Sequence, residues 1–234
     1  MKTFKTIERL LSDCFFGRKC AVCNKAIPIL TDYCPECELT LKRVPDILNS
    51  SWSKLSNIKL SPKVKSYIDG YAAPFYYTLG SEKLILNYKL KKRGELSDII
   101  ATELDQVFEK VYSEIYFDFI CAVPMLKKDR NVKGFDHTEL LSEKLAEIRG
   151  IEYLPALYQI KDKLPQHTLS ATMRRNNVKN IYSIIENVSV TGKTILLIDD
   201  ICTTGASLNE AAKTLKKGGA KRVYCLAVCV SARA

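Results

Sequence analysis

Along this 234-residue chain, short continuous apolar runs alternate with stripes at helical spacing. Ile195-Leu196-Leu197-Ile198 and the run 223–230 read as buried strands, since successive apolar residues with no polar face suit a strand covered on both sides. Segments 71–78, 116–123, 152–160 and 182–185 read as further strands. Gly70 and Gly80 bound the first of these, and Pro124 ends the second. Helical spacing marks 84–90, 96–111 and 138–148, and Leu208, Ala211, Ala212 and Leu215 mark a helix soon after the 195–198 strand. Strands that alternate with helices predict an α/β fold, a mostly parallel sheet flanked by helices. Residues 4–16 read as a short amphipathic helix and 38–66 as a polar linker with some helix. The expected division is therefore 1–66, a small N-terminal module with its linker, and 67–234, the α/β domain.

The polar positions that follow the 195–198 strand carry the first candidate chemistry. Asp199-Asp200-Ile201-Cys202 leads into Thr203-Thr204-Gly205-Ala206-Ser207, and then the helical pattern starts. A strand-loop-helix of this kind gathers backbone N–H groups and a positive dipole end at one point, which suits a phosphate. Thr203, Thr204 and Ser207 add hydroxyl donors, and Gly205 permits close backbone approach. Like charges repel, so the two Asp residues serve a neighbouring sugar diol or its Mg²⁺ rather than the phosphate. Phosphate and diol at one loop describe a phosphoribosyl site. Cys202 has no recognisable base beside it and reads as a small loop filler rather than a nucleophile.

Cysteine spacing supplies the second. Cys20-Ala-Val-Cys23 and Cys34-Pro-Glu-Cys37 are two C-x-x-C pairs, among nine cysteines in all. Four thiolates close a tetrahedron around Zn²⁺ with no open position, so the expected metal is structural. Their neighbours Lys19, Asn24, Lys25, Asp32 and Glu36 are too polar for a plain core. Cys14, in the 4–16 stretch, reads as packing. No segment approaches the about 18 apolar residues of a membrane span, and no apolar signal core follows the charged N-terminus. A cytoplasmic protein without disulfides is expected.

The formal charge of +10 suits an anionic partner, either a phosphorylated sugar or nucleic acid. The lysines of 213–222 fall on the outer side of a helix and read as a solvated face. Two loops read as functional. The strand ending at Val123-Pro124 runs into Lys127, Lys128, Arg130 and Lys133, a second anion site suited to pyrophosphate. The loop 161–179 is long for a compact domain, and its Arg174 and Arg175 could close over a phosphate.

The run 199–207 resembles the phosphoribosyl pyrophosphate (PRPP) motif of type I phosphoribosyltransferases. The order of all the pieces resembles the ComF family of competence-associated, phosphoribosyltransferase-like proteins: the four-Cys module, the segment Leu86-Asn87-Tyr88-Lys89, the Val123-Pro124 loop, then Gln166, Leu169, Arg174 and Asn177, with Tyr182 after them, then the PRPP motif. The family's Arg-Gly-Phe-Asn-Gln stands here as Lys133-Gly134-Phe135-Asp136-His137, and Ala122 replaces a proline. Lys for Arg loses forked binding, and Asp136 brings a negative charge toward the proposed pyrophosphate. His137 and His167, the two histidines, are expected at the surface.

The resemblance implies a type I phosphoribosyltransferase fold. It implies Asp199 and Asp200 on the ribose hydroxyls and residues 203–207 around the 5-phosphate. Lys89, Lys127 and Arg174 would bind the rest of PRPP with Mg²⁺. The implied reaction is pentosyl transfer to a nitrogenous acceptor, with a link to DNA uptake in natural competence. The alternative is a non-catalytic adaptor that senses nucleotide or binds single-stranded DNA beside a competence helicase, with tyrosines and Trp52 available for stacking.

Overall fold

The computed structural model describes residues 17–45, 66–90, 95–125, 136–160 and 180–231. The expected helix 4–16 with Cys14, Trp52, the basic positions 127–133 and the loop 161–179 with Arg174 lie outside them.

A two-stranded antiparallel knuckle, β1 (Arg18–Lys19) and β2 (Ala26–Ile27), precedes a short helix, α1 (Pro35–Thr40). Then come β3 (Gly70–Ala72), β4 (Phe75–Tyr76), α2 (Leu79–Leu90) and α3 (Glu95–Tyr112). They are followed by β5 (Phe119–Ala122), α4 (His137–Arg149), β6 (Leu157–Gln159) and β7 (Tyr182–Ile184). The described chain closes with β8 (Thr194–Cys202), α5 (Ala206–Lys217) and β9 (Arg222–Val230).

The main sheet runs β3-β9-β8-β5, with β4 also on β9, and every pairing in it is parallel. Strands buried on both faces need an apolar side chain at every position. Accordingly Ile120, Leu196, Ile198, Leu226 and Val228 face one core, whereas Phe119, Cys121, Ile195, Leu197, Cys225 and Ala227 face the other. Helices α2, α3 and α4 and the cysteine knuckle cover the first face; α5 and the β6–β7 ribbon cover the second. This is the expected α/β arrangement, a parallel sheet flanked by helices, with a small four-Cys module at its N-terminal side.

Several elements depart from expectation. The segment 71–78 divides into β3 and β4 around Pro74, and helix begins by Leu79. Gly80 therefore does not end a strand. It lies in the first turn of α2, where a Cβ would stand 2.7 Å from the Thr40 carbonyl carbon. The stretch 152–160 pairs only at Leu157–Gln159 and at an isolated bridge from Tyr153 to Ile120. Strand β8 continues past Ile198 to Cys202, because β9 pairs along its whole length. Cys202 is consequently a buried strand residue rather than a loop filler.

The cysteine module is tied to the sheet and to α3 by polar contacts. The Val44 amide donates to the Pro74 carbonyl at 2.9 Å, and that of Tyr76 to Lys42 at 2.8 Å. Arg43 forks onto buried Glu103 of α3 at 2.7 and 3.2 Å, reaches Glu38 at 3.0 Å, and lies over the Phe75 ring. A bidentate pair to a buried carboxylate holds both groups in one geometry.

Candidate phosphoribosyl site and cysteine centre

Asp199 and Asp200 lie within the carboxyl-terminal part of β8, not beyond its end. Successive strand residues face opposite sides of a sheet. Asp200 accordingly meets Lys89 of α2, with which it forms an ion pair. Asp199 lies on the side of Tyr182 from β7, and its Oδ1 accepts the Asp200 amide at 2.8 Å. Both members of the Lys89–Asp200 pair are largely covered. Burial works against the Lys89 charge, but Asp200, with Asp199 behind it, outweighs burial and raises the ammonium pKa above its ordinary value.

Thr203, Thr204 and Gly205 make the turn between β8 and α5. Gly205 sits at φ 69° and ψ 4°, the left-handed region that favours glycine. It serves as the N-cap of α5, and its carbonyl accepts the Asn209 amide at 2.8 Å. Thr204 Oγ1 accepts from the Ala206 amide at 3.3 Å. Ala206 and Ser207 form the first turn, where amides have no acceptor within the helix. Tyr182 closes this side. Its hydroxyl hydrogen-bonds with Ser207, and burial together with the Asp199 charge pushes its pKa far above the usual range. Lys89 is thus brought to the acidic pair; Lys127 and Arg174 fall outside the described residues.

Asp136, the negative charge expected toward the pyrophosphate, is buried and caps α4. Oδ1 accepts from the Thr138 amide at 2.9 Å and the Glu139 amide at 3.2 Å, and Oδ2 accepts from the Met125 amide at 3.1 Å. Asp followed three residues later by Glu is a helix-start signal that could have found it. His137 is fully buried rather than superficial, with its ring 5.4 Å from that of Tyr88 and its carbonyl accepting the Tyr88 hydroxyl at 2.7 Å.

The sulfur atoms of Cys20, Cys23, Cys34 and Cys37 lie within 4.8 Å of one another. A Zn–S tetrahedron with bonds of about 2.3 Å has edges of about 3.8 Å, and the Cys23 and Cys34 sulfurs are 3.7 Å apart. The first pair is shaped by a tight knuckle, with the Cys20 amide donating to Lys25 and the Asn24 amide to Cys20. The second pair is set by Cys34 capping α1 with Pro35 behind it. Burial works to raise the Cys20 thiol, but the amides of Cys23, Cys34 and Val22 outweigh it and bring it down to about 7. The set fits a four-thiolate zinc site, whose chemistry is to fasten the fold.

An acidic pair on a parallel strand, a Thr-Thr-Gly turn and a helix begun by a left-handed glycine define a phosphoribosyl transferase domain, and the family of that description matches residues 159–234. The chain carries this domain in its C-terminal part; it is similar over most of its length to YhgH proteins and over less than half of it to competence protein F, with a four-Cys cluster at its N-terminal side. DNA utilization protein YhgH of Salmonella typhi is 24% identical over 225 residues, spanning 90% of this chain and 89% of that protein. Competence protein F of Haemophilus influenzae is 32% identical over 106 residues, 44% of this chain and 46% of that one. Adenine phosphoribosyltransferase from Thermoanaerobacter pseudethanolicus aligns with a TM-score of 0.40 at 16% identity, over 84% of this chain and 98% of that structure.

Proposed function

We propose that this protein binds PRPP with Mg²⁺ at the carboxyl end of β8, and that it serves the handling of incoming DNA. The observation that carries the reading is the β8–α5 junction. There two half-buried carboxylates stand beside a glycine-turned, hydroxyl-lined helix start. The first-turn amides of α5, with Thr203, Thr204 and Ser207, hold the 5-phosphate. Asp199 and Asp200 accept from the ribose hydroxyls. Mg²⁺, when bound with PRPP, would supply neutralisation of the pyrophosphate charge. Lys89, already in contact with Asp200, turns toward the pyrophosphate, with Lys127 and Arg174 completing the cationic wall. Such a wall stabilises charge that grows on departing pyrophosphate while a nitrogen acceptor attacks the ribose carbon, and the protein needs no nucleophile of its own. The link to DNA rests on what the relatives are called, DNA utilization and competence proteins.

Calorimetric titration of the zinc-loaded protein with PRPP and Mg²⁺, beside Asp199→Asn/Asp200→Asn, tests this. Saturable binding lost in the variant supports the reading, and absence of binding by folded wild type removes it. The net charge of +10 favours a second reading, a non-catalytic adaptor for single-stranded DNA. That reading requires DNA affinity that falls steeply with salt and is indifferent to the Asp199 and Asp200 changes.

A further inference from the structure

The last turn of α2 touches three separate parts of the molecule through three consecutive residues. The Asn87 carboxamide, buried, donates to the carbonyls of Ala21 at 3.0 Å and Val22 at 2.7 Å. Those two residues are the ones between Cys20 and Cys23, so the acceptors belong to the cysteine knuckle itself. Tyr88 donates to the carbonyl of His137 at the start of α4. Lys89 pairs with Asp200 on β8. Helical neighbours are turned about 100° from one another, so one turn reaches three directions.

The other end of α2 is fastened to the same module. Thr78 Oγ1 donates to the Thr40 carbonyl at 2.8 Å, and Gly80 lets the helix approach the Thr40 backbone. A helix pinned at both ends has little freedom to slide. The two Asn87 acceptors converge only while the knuckle keeps its folded shape, and the four-thiolate centre maintains that shape.

We propose that Asn87 is a positioning residue that transmits the state of the cysteine knuckle to Lys89, so that metal occupancy of Cys20, Cys23, Cys34 and Cys37 sets how firmly Lys89 engages Asp200. The consequence for ligand affinity rests on the phosphoribosyl reading given above; the coupling itself does not. By linkage, an anionic ligand that draws Lys89 away from Asp200 loosens metal retention by the same factor.

The test is amine footprinting of full-length, zinc-loaded protein with acetic anhydride, read by mass spectrometry at Lys89, for wild type and Asn87→Leu. Leucine keeps the volume and removes both donors. Lys193 and Lys213 serve as internal controls, and bound zinc is assayed in parallel. Labelling of Lys89 should be faster by at least about fivefold in the variant, the factor implied by the net contribution of one of the two lost hydrogen bonds, with zinc retained and the controls unchanged. An unchanged Lys89 rate overturns the proposal. If Asn87→Leu does not fold, wild type before and after zinc removal gives the same comparison: a selective rise at Lys89 supports the coupling, and a rise at all three lysines or at none overturns it. PRPP titration of the same samples is read separately. Wild type that fails to bind PRPP refutes the phosphoribosyl reading, while the Lys89 rate still decides the coupling.

Discussion

Lys89, in the last turn of α2, forms an ion pair with Asp200 on β8, and both side chains are mostly withdrawn from water. Removing one partner leaves the other charge covered and uncompensated, which costs more than the pair itself contributes. Lys89→Met and Asp200→Asn should each lower the unfolding free energy by about 1–3 kcal/mol. The double variant should lose clearly less than the sum. Urea unfolding of the four proteins measures the coupling, and strictly additive losses would mean that the pair does not form in solution.

Asp136 joins the start of α4 to Met125, at the two ends of the basic segment between them. Asp136→Ala should cost about 1–2 kcal/mol, the usual loss for an N-cap. Asp136→Asn keeps an acceptor and should recover most of it. If alanine and asparagine are equally harmful, the charge rather than the cap geometry matters.

Gly80 permits contact between α2 and Thr40 at a distance no Cβ tolerates. Gly80→Ala improves helix propensity, so an isolated helix would gain. Here the alanine must push the cysteine module away, and a net loss of about 1–3 kcal/mol is expected from overpacking. The same variant should release zinc faster to a chelator. Stabilisation would show that the module does not rest on α2.

Asp118 provides a pH signature. The Thr194 amide, at 2.8 Å, and Lys193, at 2.9 Å, hold its carboxyl below the ordinary value of 3.8. A depressed carboxylate pKa contributes stability that is complete above the unfolded value and is lost as pH falls through the folded one. The stability gap between wild type and Asp118→Asn should therefore stay constant from about pH 7 to about pH 5 and narrow below about 3.8. A gap that persists unchanged at about pH 3 would rule out this clamp between β5 and β8.

Local pattern alone was enough for much of this protein. The Cys20/Cys23 and Cys34/Cys37 spacing marks a metal cluster because a knuckle is a short-range structure, and the sulfurs do converge. The unbroken apolar run before Asp199 marks a central parallel strand because burial on both faces leaves no polar position, and β8 lies between β9 and β5. Element ends were less legible: Cys202 stays in its strand because β9 offers partners that far.

Only the tertiary structure decided which polar groups meet. Nothing near Lys89 in the chain points to Asp200, and nothing near Asn87 points to Ala21 and Val22. His137 looks like a surface residue by type, yet Tyr88 and the core enclose it. Gly80 looks like a strand boundary until Thr40 comes against it. Periodicity and motif spacing act over one or two turns of chain and are written into consecutive residues. The partner of a buried polar group is chosen by packing between distant segments, where the cost of leaving that group unpaired is settled only once those segments meet.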